Sequence, residues 1–90
     1  MIELYKNCPT LDLHGLDRDY AKILVNDFIR DQVKLKKEKI IIVHGNGTGI
    51  IKKTVQEVLK KNKMVKEFKI DHFNSGMTIV TLVKNVDKQN

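Results

Sequence analysis

Two histidine-glycine pairs, each directly after a short apolar run, constrain this chain more than any other feature. The first closes the segment Leu11-Asp12-Leu13-His14-Gly15, and the second opens the segment His44-Gly45-Asn46-Gly47-Thr48-Gly49 behind a run at 40–43. Both patterns are typical of a strand that stops at a glycine turn before a helix, so both histidines belong at carboxyl ends of strands. Ligands of open α/β sheets bind at that edge. Parallel neighbouring strands would bring Asp12, His14 and His44 into one patch.

The apolar periodicity predicts the element order βαβαββ. Strands are expected over residues 10–13, 40–43, 65–73 and 77–83, with a hairpin-type turn at Asn74-Ser75-Gly76. The first helix has Asp17 at its N-cap, ends near Leu35 and carries the apolar stripe Ala21, Leu24, Val25 and Phe28. The second follows the glycine loop, carries Ile51, Val55, Val58 and Leu59, and ends at Asn62-Lys63. This order implies a parallel strand pair joined by a right-handed crossover.

Two of the strands carry more specific expectations. The unbroken β-branched run of the second strand, residues 40–43, predicts burial on both of its faces. In the third strand, Phe68, Ile70 and His72 alternate with charged residues, which is typical of a half-buried strand. His72 is therefore expected at the edge of the core rather than as a third catalytic group.

The size of the chain limits it to one core. With 90 residues, 41% of them hydrophobic, we expect a single two-layer domain over residues 10–84. Residues 1–9 form an N-terminal segment whose Ile2, Leu4 and Tyr5 are expected to pack on the body, and residues 85–90 form a polar tail.

Charge and composition narrow the class of partner. The formal net charge of +6, from 17 Lys and Arg against 11 Asp and Glu, favours a polyanion such as nucleic acid. Aromatic residues make up only 6% of the chain, so contact with the phosphate backbone is expected rather than base stacking. Cys8 is the only cysteine, and no segment has the length of a membrane span or the pattern of a secretion signal. We expect a cytoplasmic protein without a membrane partner.

The residues around the two histidines suggest phosphodiester chemistry. Such cleavage needs a base, an acid, and cations or N–H donors for the charge on phosphorus. His14 and His44 can divide the first two roles, with Asp12 orienting a histidine or holding a divalent metal ion, and the sequence does not decide between these roles. A purely structural role, in which each histidine bonds backbone in a turn, is the competing interpretation.

The glycine loop and the lysines behind it are the predicted phosphate-binding residues: Gly45, Asn46, Gly47, Thr48, Gly49, Lys52 and Lys53. The loop lacks the Gly-Lys-Ser/Thr ending of a nucleotide-hydrolysing P-loop. It could also be a tight connection alone, and the lysines of the second helix could be a solvated face. No cysteine-histidine cluster has the spacing of a structural zinc site.

Three segments in order resemble the signatures of the Smr domain, the small MutS-related module. They are Leu11-Asp12-Leu13-His14-Gly15, then residues 44–49, then Gly76-Met77-Thr78-Ile79-Val80, and the resemblance covers about residues 10–84. It implies a two-layer α/β fold like the C-terminal domain of bacterial translation initiation factor three, with a mixed four-stranded sheet and both helices on one face. It also implies nicking-endonuclease activity on DNA or RNA.

The resemblance assigns residues one motif at a time. Asp12 and His14 match the acidic and histidine positions of the first motif, and the second motif is matched by His44, Gly45, Gly47 and Gly49. Lys52 stands where the family usually has arginine, which keeps the charge but loses a bidentate contact to phosphate. Only Gly76 remains of a glycine-rich turn before the last strand, which implies a less flexible third loop.

Two classes of function follow. The first is a nucleic-acid-binding domain with nicking endonuclease activity on DNA or RNA, carried by Asp12, His14 and His44. The second is a non-catalytic module that binds nucleic acid or the ribosome through the same basic surface. A cleavage assay with and without EDTA separates them and decides the metal dependence.

Overall fold

The computed structural model describes residues 7–84 and has the predicted order of elements. They are β1 Thr10–Asp12, α1 Arg18–Lys34, β2 Lys39–Val43, α2 Ile50–Lys61, β3 Val65–Ile70 and β4 Met77–Leu82. The expected packing of Ile2, Leu4 and Tyr5 and the polar tail over 85–90 lie outside the described residues.

The four strands form one mixed sheet in the order β1-β2-β4-β3. β1 and β2 are parallel, with Leu11 opposite Ile42, as expected for two strands joined by a helical crossover. β4 is antiparallel to both β2 and β3. β2 is therefore a central strand and β1 an edge strand. The mixed four-stranded sheet is confirmed.

Both helices pack on the same face of this sheet. Their buried residues share one core with Leu13 and with alternate residues of β2 and β4, namely Ile40, Ile42, Val80 and Leu82. On α1 the fully packed row is Ala21, Val25, Ile29 and Val33, while Leu24 and Phe28 are only partly buried beside it. The apolar stripe predicted for α1 is therefore displaced by a fraction of a turn from the observed buried row, because the residues that face the sheet follow an i, i+4 spacing.

The helix ends follow from local hydrogen bonds. The Asp17 carboxylate accepts the N–H groups of Asp19 and Tyr20 at 3.0 and 3.2 Å, which confirms it as the N-cap of α1. α2 begins differently, since its N-cap is Gly49 in the left-handed conformation and no side chain caps it. Neither helix described within residues 7–84 is long and apolar enough to cross a membrane.

β3 is shorter than predicted, and the position of His72 is a correction. The strand ends at Ile70 because the Asp71 carboxylate accepts the N–H groups of Phe73 at 3.1 Å and Asn74 at 2.8 Å and so starts a turn. His72 lies in this turn, exposed, with its ring 5.2 Å from that of Phe73. The prediction of a core-edge histidine was therefore wrong. The expected burial of β2 on both faces is confirmed by Ile41, which is buried on the face opposite to Ile40 and Ile42.

Candidate nucleic-acid cleavage site

The carboxyl ends of β1 and β2 open into a cleft of about 840 Å³. Its walls are the turn after β1, the whole loop from His44 to Gly49 and the first turn of α2. The two predicted motifs are in contact there, because a Cβ placed on Gly45 would lie 3.4 Å from the Cβ of His14. Parallel pairing of β1 and β2 therefore brings the first and second motifs together as predicted.

Asp12 and His14 form an exposed pair at the mouth of the cleft. Asp12 Oδ1 lies 2.8 Å from His14 Nδ1 and accepts the backbone N–H of His14 at 3.1 Å. The side chains are 56% and 72% exposed, so solvent and substrate reach both. The hydrogen bond to Asp12 and its negative charge raise the pKa of His14, and the same bond lowers the pKa of Asp12. An ionised carboxylate thus orients a histidine that holds its proton more firmly than a free one.

His44 has the opposite environment. Its ring is buried, with 4% of the residue exposed, and both nitrogens are engaged. Nδ1 lies 3.1 Å from the carbonyl oxygen of Gly45, and Nε2 lies 2.8 Å from Thr78 Oγ1. Because a carbonyl oxygen only accepts, Nδ1 carries the proton and Nε2 accepts from the threonine hydroxyl. Burial lowers the pKa of His44, and Lys52 adds to this, so the ring is neutral near pH 7.

The glycine loop leads into a helix whose first turn is open. Gly45 and Gly49 adopt φ values of +77° and +87°, a conformation that side chains rarely tolerate. Thr48 Oγ1 accepts the N–H of Ile50 at 3.3 Å, while the N-cap residue Gly49 has no side chain that could cap the following N–H groups. The next N–H groups of α2 therefore lack an intrahelical acceptor and face the end of the cleft, where Lys52 also lies. This arrangement suits a phosphate group.

The β3–β4 turn holds the glycine loop in place. Gly76 O accepts the N–H groups of His44 at 2.8 Å and Gly45 at 3.0 Å, and Ser75 Oγ donates to Asn46 Oδ1 at 2.9 Å. The contact is close, since a Cβ on Gly76 would lie 3.2 Å from Gly45 Cα. The third motif therefore supports the second through backbone bonds.

The structure brings most of the predicted site residues together at the cleft, but not all of them line it. His14, His44, the loop 45–49 and Lys52 line the cleft, and Asp12 joins it through His14. Lys53 is exposed on α2 but does not line the cleft. Sequence reasoning missed Thr78, Ser75 and Arg18, the last of which lines the cleft from α1. The only sequence signal for Thr78 is its position two residues after Gly76 in the third motif.

Within residues 7–84, the side chains do not by themselves supply a complete set of metal ligands. No three histidine, cysteine, aspartate or glutamate side chains of this range cluster so that they could hold an ion. Both ring nitrogens of His44 are already bonded within the protein. Asp12 and His14 remain as two adjacent ligating side chains.

Comparisons with known proteins agree with this architecture. The family model of the Smr domain matches residues 11–84. The endonuclease MutS2 of Geobacillus sp. (strain WCH70) is 39% identical over 74 residues, which are 82% of this chain and 9% of that protein. The chain thus spans about a tenth of the length of the curated relatives that it matches.

Solved structures show the same fold. The Smr domain of Thermus thermophilus MutS2 matches with a TM-score of 0.81 at 27% identity, over 83% of this chain and 98% of that one. YdaL, a stand-alone small MutS-related protein from Escherichia coli, matches with a TM-score of 0.78 at 23% identity, over 83% of this chain and 64% of that one. With its family model matched over most of its length, the chain belongs to the Smr domain family.

Proposed function

We propose that this domain binds nucleic acid in the cleft and nicks a phosphodiester bond there, with His14 as the residue that transfers the proton. The observation that carries the proposal is the exposed Asp12–His14 pair beside an uncapped helix N-terminus. The relatives named endonuclease MutS2 support the same class of reaction. Nucleic acid is the proposed substrate and a cytoplasmic location is proposed with it.

His14 has the geometry of a general acid. Its Nδ1 is held by Asp12, so Nε2 is the nitrogen that remains for substrate. Its raised pKa increases the protonated fraction at neutral pH. When an attacking oxygen forms its bond to phosphorus, it releases its proton to solvent water, the bond to the leaving oxygen breaks, and His14 Nε2–H gives its proton to that oxygen. The attacking group is water for DNA, or water or the 2′-hydroxyl for RNA.

The loop and α2 would stabilise the charge on the phosphate. The open N–H groups of the first helical turn and the ammonium of Lys52 lie at the same end of the cleft. Such donors act on the non-bridging oxygens, whose charge grows in the transition state. Lys53 does not line the cleft, so any contact that it makes with the nucleic-acid backbone lies outside it.

His44 is proposed as a positioning residue rather than as the second proton-transfer group. A buried neutral ring with both nitrogens bonded exchanges protons with a substrate poorly. It links Thr78 of β4 to the carbonyl of Gly45, and so it holds the start of the glycine loop.

A cleavage assay tests the proposal. The wild-type chain is incubated with supercoiled plasmid and with structured RNA, with and without EDTA. His14→Ala should reduce cleavage about 10²- to 10⁴-fold while the binding affinity changes little, because binding rests on lysines and backbone groups. His72→Ala, which changes an exposed histidine outside the cleft lining, is the matched control and should cut like wild type.

The outcomes separate the two classes of function. Cleavage that His14→Ala leaves unchanged contradicts the proposed role of His14. A pure wild-type protein that binds both nucleic acids but cuts neither with any common divalent ion is a binding module. Cleavage that persists in EDTA agrees with histidine acid-base chemistry, whereas loss in EDTA would make Asp12 and His14 metal ligands.

A further inference from the structure

Positive charge is distributed unevenly over the described surface. α1 is nearly balanced, with Arg18, Lys22, Arg30 and Lys34 against Asp19, Asp27 and Asp31. α2 carries four lysines at its two ends, Lys52, Lys53, Lys60 and Lys61, against the single Glu57. The side of the cleft that β1 and the start of α1 provide carries Asp12, Asp17 and Asp19 against Arg18. The basic surface therefore begins at α2 and not at the Asp12–His14 pair.

A lysine cluster lies at the end of the sheet opposite to the cleft. Leu82 N–H donates to Glu38 O and Val83 N–H donates to Met64 O, both at 2.8 Å. These bonds join the turn after α1, the start of β3 and the end of β4. The distal lysine cluster is defined as four exposed lysines in the turns beside these bonds, Lys36, Lys37, Lys63 and Lys84.

The cluster is positioned to receive an anion from solvent. A shallow pocket of about 400 Å³ lies among Lys36, Lys37 and Lys84. The salt bridges of residues 7–84 are Asp12–His14 and Asp27–Arg30, so Lys37, Lys63 and Lys84 have no acidic partner. Glu38 is the one acidic residue in the pocket wall.

α2 connects the cleft to the distal lysine cluster. Its first turn lines the cleft, and its last turn carries Lys60 and Lys61, directly before the turn that contains Lys63. A helix of 12 residues is about 18 Å long at 1.5 Å per residue. α2 therefore runs from the cleft towards the distal lysine cluster, with two lysines at each of its ends and one acidic residue, Glu57, between them.

We propose that nucleic acid bound at the cleft continues along α2 and that its backbone phosphates contact the distal lysine cluster. This inference rests on the proposed function, because the cleft must hold nucleic acid first. At 3.4 Å per base pair, about 18 Å corresponds to roughly five base pairs beyond the cleft. Cations at both ends of one helix fit a regularly charged strand that runs along it. Lysines that contact only phosphate add affinity without sequence preference.

The test compares two probes and two variants of equal charge. The probes are a 20-base-pair duplex and a hairpin with a four-base-pair stem, which is shorter than α2, each as DNA and as RNA. The distal variant is Lys37→Ser with Lys84→Ser. The control variant is Arg30→Ser with Lys69→Ser, which removes the same charge from α1 and from the far strand β3. All four residues are exposed, so unfolding temperatures should match wild type.

The expected result is a loss that depends on length. The distal variant should bind the 20-base-pair duplex about tenfold more weakly at 0.1 M salt, and its slope of log K against log salt should fall by about 2, since each lost phosphate contact removes about one unit. It should bind the short hairpin like wild type, and the control variant should bind both probes like wild type.

Three results would overturn the inference. The first is that the distal variant binds the long duplex with the affinity of wild type. If wild type binds both probes in that experiment, the proposed function still holds. The second is an equal loss in the control variant, because the charge effect is then general. The third is binding of phosphatidylserine vesicles that the distal variant loses while its duplex affinity is unchanged. If wild type binds neither probe, the proposed function fails as well.

Discussion

His14 and His44 stand in the same local motif and have opposite environments. Each follows an apolar strand and precedes a glycine with positive φ, Gly15 at +79° and Gly45 at +77°. His14 is exposed, paired with a carboxylate, and its pKa is raised. His44 is buried, paired with a hydroxyl and a carbonyl, and its pKa is lowered.

The difference comes from the positions of their strands in the sheet. β1 is an edge strand, so the residue that follows it has a neighbour on one side only. β2 lies between β1 and β4, and Thr78 of β4 approaches the ring that follows β2. The same two-residue motif therefore provides a reactive group at the edge and a supporting group at the centre.

The largest expected effect that tests this comparison is on stability. His44→Ala removes a buried ring and leaves the hydroxyl of Thr78 without its partner, which should lower the free energy of unfolding by about 3 kcal/mol. His14→Ala removes an exposed ring and should leave stability almost unchanged. Urea denaturation of both variants measures this, and equal midpoints would contradict the comparison.

The loss of stability in His44→Ala should depend on pH. The pKa of His44 is lower in the folded than in the unfolded chain, so the unfolded chain binds the proton more readily. The stability that depends on a neutral His44 is present above the unfolded pKa of about 6.5 and is lost as pH falls toward the folded value. The stability difference between wild type and His44→Ala should therefore narrow below about pH 6.

The sequence predicted what is local and missed what depends on strand order. Period and turn residues gave the six elements, the Asp17 cap and the meeting of the two histidine motifs. The burial of His44 depends on β4 lying beside β2, a contact between residues 34 positions apart, and no local pattern reports it. The early end of β3 depends on side-chain bonds of Asp71 that compete with strand pairing.

A smaller effect on stability is expected at Gly76, whose carbonyl oxygen accepts the N–H groups of His44 and Gly45. Gly76→Ala places a Cβ 3.2 Å from Gly45 Cα, so backbone must move, at a cost of about 1–3 kcal/mol. Gly47→Ala is the matched control, because nothing lies within 4 Å of its Cβ and its φ is not in the left-handed region. Thermal unfolding should separate them by several degrees. Equal unfolding temperatures would mean that the β3–β4 turn does not hold the loop.

The role of Gly47 is tested by nucleic-acid binding rather than by stability. Gly47→Val should keep the fold and weaken nucleic-acid binding, because its side chain projects into the open space of the cleft where backbone would approach a phosphate. Normal binding by this variant would leave the loop as a connector between β2 and α2.

The smallest expected effect concerns the charge state of His14. Asp12→Asn removes the negative charge 2.8 Å from Nδ1, so the pKa of His14 should fall toward its ordinary value, as an NMR titration of the ring would show. The pKa of His14 is raised in the folded chain, so the stabilising contribution of the pair is present below the unfolded pKa and is lost as pH rises through the folded pKa. This contribution is small because both side chains are exposed.

If His14 is the general acid, the alkaline limb of the pH profile of cleavage should move to lower pH in the Asp12→Asn variant. Asp27→Asn, which breaks the exposed pair with Arg30 away from any histidine, is the control and should move neither quantity. A titration of His14 that Asp12→Asn leaves unchanged would show that edge position alone, without the carboxylate, sets the properties of this histidine.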